Sequence, residues 1–142
     1  MRIQFIKSDS IKVQLEDDQW KMISAPENIA AALKKANVIG LDIYTDCQLI
    51  GFAMLRNYSE DGWFLWDYAI DKHFQNKSYG QKVLLALIAY MKEHYAAKEI
   101  STTYLWGNDH ARYIYEKVGF IQTDIVNEED CHEVNMLYTI EK

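Results

Sequence analysis

The chain predicts an α/β domain on a mixed sheet, and three observations lead there. Short strand-like runs are interspersed with about three helix-like stretches. One run, Leu49 to Leu55 ("LIGFAML"), is apolar almost throughout, the mark of a strand interior to a sheet. An aromatic run, "WFLWDY", passes through a polar turn into the apolar stretch "VLLALIAYMKEHY", a strand-to-helix succession.

Taken in order, residues 2–6 and 11–15 alternate around Ser8-Asp9-Ser10 and predict two strands and a turn. Pro26 suits the first turn of a helix running to Asn37, with Ile29, Ala32 and Leu33 on one face and Ser24 or Ala25 near its start. Ile39 to Tyr44 and Leu49 to Leu55 form a hairpin across Thr45-Asp46-Cys47-Gln48. Asn57 to Gly62 is a loop, and Trp63 to Ile70 a further strand. Leu84, Leu87, Ile88 and Met91 repeat with helical spacing in the stretch from Val83 to Tyr95, and Leu85, Ala86 and Ala89 make its other side apolar too. Ile100 to Trp106 is a strand. Asn108 then caps a helix that carries Asp109 in its first turn and ends at Gly119. Phe120 to Val126 and Glu133 to Ile140 alternate and predict a closing antiparallel pair.

Composition narrows the function. The 142 residues suit one domain spanning 1–142, with neither repeat nor linker and a single proline. The longest apolar run, Val83 to Met91, is too short to span a bilayer, and the N-terminus lacks a secretory apolar region. Cys47 and Cys131 have no CxxC partner and read as free thiols in a reducing cytoplasm. Net charge is −6, with acidic clusters at Glu16-Asp17-Asp18, Glu60-Asp61 and Glu128-Glu129-Asp130. Such a surface disfavours nucleic acid and would attract a cationic small molecule, although charge runs are also ordinary solvated surface. No histidine has metal-ligand spacing: His73 and His110 read as surface or loop residues, and His94 as a helix-end cation.

The stretch from Gln75 to Lys82 ("QNKSYGQK") separates the aromatic strand from its helix. A helix that begins near Tyr79 presents unpaired backbone N–H groups and a positive dipole end, and Lys77 and Lys82 add charge beside it. Folded inward, those amides would cradle an anion. Neither GxxxxGK[ST] nor GxGxxG is present, so on these residues alone an ordinary strand-to-helix turn is an equal reading.

"FQNKSYGQKVLLALIAYMKE" resembles the acetyl-CoA loop and following helix of the GNAT superfamily of N-acetyltransferases. Gln75 and Gly80 match the ends of that motif. Ser78 stands at its usual middle glycine, and Asn76 where a further glycine is common. "NDHARYIYEKVGF" resembles the family's second motif through Asn108, Ala111, Tyr115 and Gly119-Phe120, and "LIGFAML" its central hairpin strand. Together these cover roughly residues 39–126. Within the superfamily, "LIGFAM", "WDYAIDKHFQNKSYG" and the C-terminal motif are similar to the bacterial polyamine or diamine acetyltransferases.

The resemblance implies a GNAT-like acyl-CoA N-acyltransferase fold. Residues 1–38 are short for the helices that usually precede the hairpin, so a shortened N-terminal helical region is expected. It implies acetyl-CoA as co-substrate, no metal, a small-molecule amine acceptor and, as is common in the family, a homodimer. Acetyl would pass directly to the amine without a covalent enzyme intermediate. The loop Gln75, Asn76, Lys77, Ser78, Tyr79, Gly80 and Gln81 would hold the pyrophosphate, and the strand edge at Tyr68, Ala69 and Ile70 the pantetheine arm. Asn108 would be both helix cap and cofactor contact, and Tyr115 would donate a proton to the departing thiolate. The amine itself must lose a proton. For a lysine-like amine with a pKa of about 10.4, this costs about 4 to 5 kcal/mol at pH 7. Asp67, in a very apolar strand beside the thioester position, is the first candidate to relay it, ahead of Glu60, Asp61 and Glu128. Glycine at positions 76 and 78 would let the backbone approach a pyrophosphate closely, and asparagine tolerates positive φ better than serine. Two functions therefore stand: an amine N-acetyltransferase, for which peptide amines, protein lysines and aminosugars are also open acceptors, and a GNAT-fold binding or regulatory module.

Overall fold

In the computed structural model, residues 2–75, 78–129 and 131–140 are described, with only the backbone at Cys131. The elements in chain order are β1 (Ile3–Lys7), α1 (Asp17–Trp20), α2 (Pro26–Ala32), β2 (Val38–Thr45), β3 (Gln48–Asn57), β4 (Gly62–Ile70), α3 (Tyr79–Tyr95), β5 (Glu99–Leu105), α4 (Asp109–Val118), β6 (Ile121–Glu128) and β7 (Cys131–Thr139). The strands form one seven-stranded sheet in the order β1-β2-β3-β4-β5-β7-β6. All pairs are antiparallel except β4–β5, which α3 crosses over. The mixed α/β fold expected from the sequence is thus observed.

The apolar strand β3 lies between β2 and β4, and Ile50 through Leu55 are buried, apart from Gly51 all with side chains to pack on one face or the other. The β2–β3 hairpin turns on Asp46 and Cys47, both at positive φ (49° and 67°), the twist that a tight hairpin turn requires. Cys47 is exposed and free. The Cys131 side chain lies outside the described residues.

The two faces of the sheet carry separate cores. On one, Leu84, Leu87 and Met91 of α3 are fully buried against Leu41, Leu55, Leu65 and Ile100. Each such side chain contributes about 1.5–3 kcal/mol of burial free energy. Tyr115 and Phe120 extend this cluster to α4 and beyond. On the other face, Val13, Leu15, Ile29 and Ala32 cover Phe52, Met54 and Ala69.

Residues 11–15 are not a strand. Their alternation does bury Val13 and Leu15, but no neighbouring strand takes their backbone. The Gln14 N–H donates instead to the Asp71 carboxylate (2.8 Å), and the Lys72 N–H donates to the Gln14 carbonyl (2.8 Å). The helix at Pro26 stops at Ala32 rather than Asn37. The N-terminal helical region is indeed short, reduced to α1 and α2 of four and seven residues.

Candidate active site

The site begins with a defect in β4. Leu65 pairs with Leu55 and Asp67 with Met54, so Trp66 is an extra residue, a β-bulge. The alternation of side chains changes there: Leu65 and Tyr68 join the helical core, whereas Trp66 and Ala69 join the other. The β4–β5 pairing runs only from Gly62↔Glu99 to Leu65↔Thr102. Past the bulge, among the described residues, the two strands have no further pairs, and the sheet opens into a cleft. Tyr68, Ala69 and Ile70 lie along one wall of it.

The cleft holds a chamber of about 360 Å³. Its walls come from β4 (Tyr68 to Ile70), from α4 and its cap (Asn108, Ala111, Ile114, Tyr115), and from the N-terminal segment (Leu15, Asp18, Gln19, Met22, Ile23). A second hollow of about 320 Å³ adjoins it at Ile70, Gln75, His110 and Ile114 and leads to Ser78, Tyr79, Gly80 and Gln81 at the start of α3. An extended ligand could therefore run from Tyr115 along β4 to a helix N-terminus. The Ser78 side chain makes no capping hydrogen bond among the described residues, which leaves first-turn amides of α3 available to an anion. A cofactor with an apolar arm and a phosphate end fits this groove. Asn76 and Lys77, expected at the anion end, lie outside the described residues.

Ser78 carries the positive φ of the loop (64°). Gly80 has a different reason to be glycine: a Cβ there would come within 2.9 Å of the Ile114 side chain, so the residue lets α3 and α4 approach. The Tyr68 phenol donates to the Gly80 carbonyl (2.7 Å) and ties the strand wall to the same helix end. Gln75 is engaged by protein: its amide donates to the Ile70 carbonyl (2.7 Å) and exchanges hydrogen bonds with Gln19 (2.9 and 2.6 Å). Asn108 caps α4, its side-chain oxygen accepting from the Ala111 N–H (3.2 Å), and also faces the chamber.

Tyr115 is 7% exposed and reaches the chamber. Burial pushes its phenol up to about 12, the Thr102 hydroxyl pulls it back, and the charge of Asp67 adds to the rise. It is therefore protonated at neutral pH and can donate. Asp67 is 5% exposed and does not line the chamber. Its Oδ1 accepts from the Ser24 N–H (3.0 Å), and its Oδ2 is buried with no partner among the described residues. Burial raises its pKa, and the Ser24 contacts oppose the rise. Glu60, Asp61 and Glu128 line neither hollow.

Gln19, Met22 and Ile23 were not among the sequence candidates, nor was Thr102, and Asp18 entered only as part of the acidic cluster Glu16-Asp17-Asp18. Only Glu16-x-x-Gln19 gave a local hint of α1, since Gln19 Oε1 accepts from the Glu16 N–H (3.0 Å) as a capping box does. His110, expected at the surface, is exposed but also lies where the two hollows meet.

A splayed mixed sheet with a phenol at the fork and a helix N-terminus at the mouth shapes a groove that suits a long, anion-ended ligand. The chain belongs to the Acetyltransferase (GNAT) family, whose profile matches residues 6–120. It is 38% identical over 86 residues to a probable spermine N(1)-acetyltransferase of Bacillus subtilis subsp. natto (strain BEST195), a match covering 55% of this chain and 56% of that protein. It is 36% identical over 86 residues to the spermine/spermidine N(1)-acetyltransferase of Bacillus subtilis (strain 168), with the same coverage of 55% and 56%. The match thus spans just over half the length of these curated relatives. Among solved structures, a GNAT family acetyltransferase from Elizabethkingia anophelis with acetyl-CoA bound shares the fold with a TM-score of 0.74 and 17% identity, over 97% of this chain and 98% of that one. The spermidine N-acetyltransferase from Vibrio cholerae in complex with CoA and spermine does so with a TM-score of 0.66 and 16% identity, over 80% of this chain and 72% of that one.

Proposed function

We propose that this protein transfers the acetyl group of acetyl-CoA directly to a primary amine of a small, polyamine-like cation. The observation that carries the choice of acceptor is Asp18. Among the described residues around the larger chamber it is the only carboxylate, set among Leu15, Met22, Ile23, Ala111 and Ile114. An amine with a second ammonium group some distance away would find an apolar path with one counter-charge. The names of the Bacillus relatives agree with this class.

When bound, acetyl-CoA supplies an activated acyl carbon. The residues of the chain do the rest. Tyr68, Ala69 and Ile70 align the arm along the open edge of β4, and the first-turn amides of α3 receive the diphosphate. The apolar walls lower the cost of presenting the amine in its neutral form. Asp67, with an Oδ2 that has no partner among the described residues and a raised pKa, is the eventual acceptor of the amine's proton. Tyr115 gives its proton to the sulfur that leaves.

The test is an amine panel scored by free thiol release, covering spermine, spermidine, an aminoglycoside, a lysine peptide and neutral alkylamines. Polyamines should turn over best, and Asp18→Asn should raise their KM about tenfold, or about 1.4 kcal/mol, with little change for a neutral amine. Equal use of neutral and cationic amines, or an unchanged KM in Asp18→Asn, would overturn the polyamine assignment. A protein that binds CoA but acetylates none of the panel would instead be a binding module. The Cβ of Ser78 at the anion end is the feature that favours this second reading.

A further inference from the structure

Gln19 and Gln75, 56 residues apart in the chain, face each other through their carboxamides. Gln19 Nε2 donates to Gln75 Oε1 (2.6 Å), and Gln75 Nε2 donates to Gln19 Oε1 (2.9 Å). A backbone group at each end fixes the orientation of the pair. The Ile70 carbonyl can only accept, so the Gln75 atom 2.7 Å from it is nitrogen. The Glu16 N–H can only donate, so the Gln19 atom 3.0 Å from it is oxygen. These two anchors are independent, and both demand the pairing that the reciprocal bonds show. A primary carboxamide has two N–H groups, and both of those on Gln75 are taken. None is left for a phosphate.

The helix α1 depends on this pair. It is four residues long with none of them buried, too short to persist alone. Trp20 packs against the core that contains Phe52 and Met54. Among the described residues, however, the bonds to Gln75 are the only side-chain hydrogen bonds that tie α1 to the chain beyond it. Asp18 directly precedes Gln19, lines the larger chamber and has no ion-pair partner among the described residues. Gln75 borders both hollows, whereas Gln19 borders only the larger. We propose that Gln75 is a positioning residue for the acceptor rather than an anion contact: through Gln19 it holds α1, and with it the Asp18 carboxylate, at the wall of the chamber. This rests on the reading of Asp18 as the counter-charge of a polyamine-like acceptor. The amide pair crosses from the loop before α3 to the N-terminal wall, so the loop that leads to the anion end also sets where the second ammonium of the acceptor is met.

Hydrogen exchange of the ligand-free protein tests the latch directly. Gln75→Leu should speed exchange of the backbone amides in residues 16–23 about fivefold, although the substitution lies far from them in sequence. Calorimetry then tests its use, with spermine titrated into the CoA-bound protein so that no turnover occurs. Gln75→Leu and Gln19→Leu should each weaken spermine about fivefold, the double variant should be no weaker than either, and CoA affinity should stay within about twofold. An alkyl monoamine, which has no second ammonium for Asp18, should bind all of them alike. If Gln75→Leu fails to fold, Gln19→Leu carries the test, with exchange read at residues 70–75. Unchanged exchange would overturn the latch. A loss of CoA affinity in Gln75→Leu but not in Gln19→Leu would make Gln75 an anion contact and overturn the proposal. Equal losses for spermine and the monoamine would show a loosened wall rather than a displaced Asp18, and would overturn it too. Asp18→Asn separates the two readings. If it weakens spermine and the glutamine variants do not, the role of the pair is wrong while Asp18 stands. If none of the three weakens spermine, the reading of Asp18 falls with it.

Discussion

A single backbone angle at Ser78 shows how a residue can be legible in type and obscure in consequence. The motif that this loop resembles has glycine at position 78, and the backbone there does take a left-handed conformation, at φ 64°. For a residue with a Cβ this costs about 1–2 kcal/mol. Ser78→Gly should therefore raise stability by up to about 1 kcal/mol in urea unfolding, since the flexibility that glycine adds to the unfolded chain offsets part of the relief. It should also tighten CoA binding, because Ser78 borders the hollow at the start of α3. Unchanged stability would mean that the loop relaxes at no cost. Weaker CoA binding would mean that the serine hydroxyl itself contacts the ligand. Gly80 teaches the reverse lesson. Its place in the motif suggests a role at the phosphate, but the nearest atom to an added Cβ belongs to Ile114, and packing between two helices accounts for it.

Among the elements, those from β2 onward were largely readable and the N-terminal segment was not. The hairpin, β4, α3, β5, α4 and the final pair each have a local signature: a period, a cap or a closing glycine. Residues 8–25 lack one because their structure depends on side chains far away in sequence. Asp71 receives the Gln14 N–H, Gln75 pairs with Gln19, and Asp67 receives the Ser24 N–H. These three stitches set the chamber's outer wall, and no pattern within residues 1–38 encodes them. That is also why Met22 escaped notice and Asp18 was read only as one member of an acidic cluster.

The stitches have opposite responses to acid. Burial pushes the Asp71 carboxyl up, but donors from Gln14 and His73 outweigh it and hold the pKa below 3.8. Its stabilising contribution is fully present above the unfolded value and disappears only as pH falls through the lower folded value. Asp67 is raised by burial, so its ionised form disfavours the fold at neutral pH, and that penalty fades as pH falls toward 3.8. Asp71→Asn should cost about 1–2 kcal/mol at pH 7 by loss of charge-assisted bonds. Asp67→Asn should instead flatten the stability profile between pH 7 and pH 4. A profile identical to that of the unmodified protein would show that Asp67 does not change its ionisation on folding.

For the molecule as a whole, ligand linkage is the broadest check. The groove runs between the N-terminal wall, the open edge of β4 and the start of α3. A ligand touching all three should stabilise the folded state by RT ln(1 + [L]/Kd), or about 2.7 kcal/mol at a hundredfold excess over Kd. The melting temperature should then rise by several degrees with acetyl-CoA and be unmoved by free adenine. No rise at millimolar acetyl-CoA would argue against the groove as a cofactor site. The net charge of −6 suits a cationic acceptor, but in the folded chamber only Asp18 among the described residues brings that charge to the site.

The extra residue in β4 makes the length of that strand a fixed quantity. Removing Trp66 would straighten the ladder with β3, with Asp67 still opposite Met54 and Tyr68 still opposite Ala53. With the kink gone, β4 and β5 could continue to pair beyond Thr102, and the sheet would close over the space where the reactants meet. Deletion at this one position should thus yield a chain that folds yet has nowhere to put its ligands, whereas lengthening the Asn57–Gly62 turn by a residue should be tolerated.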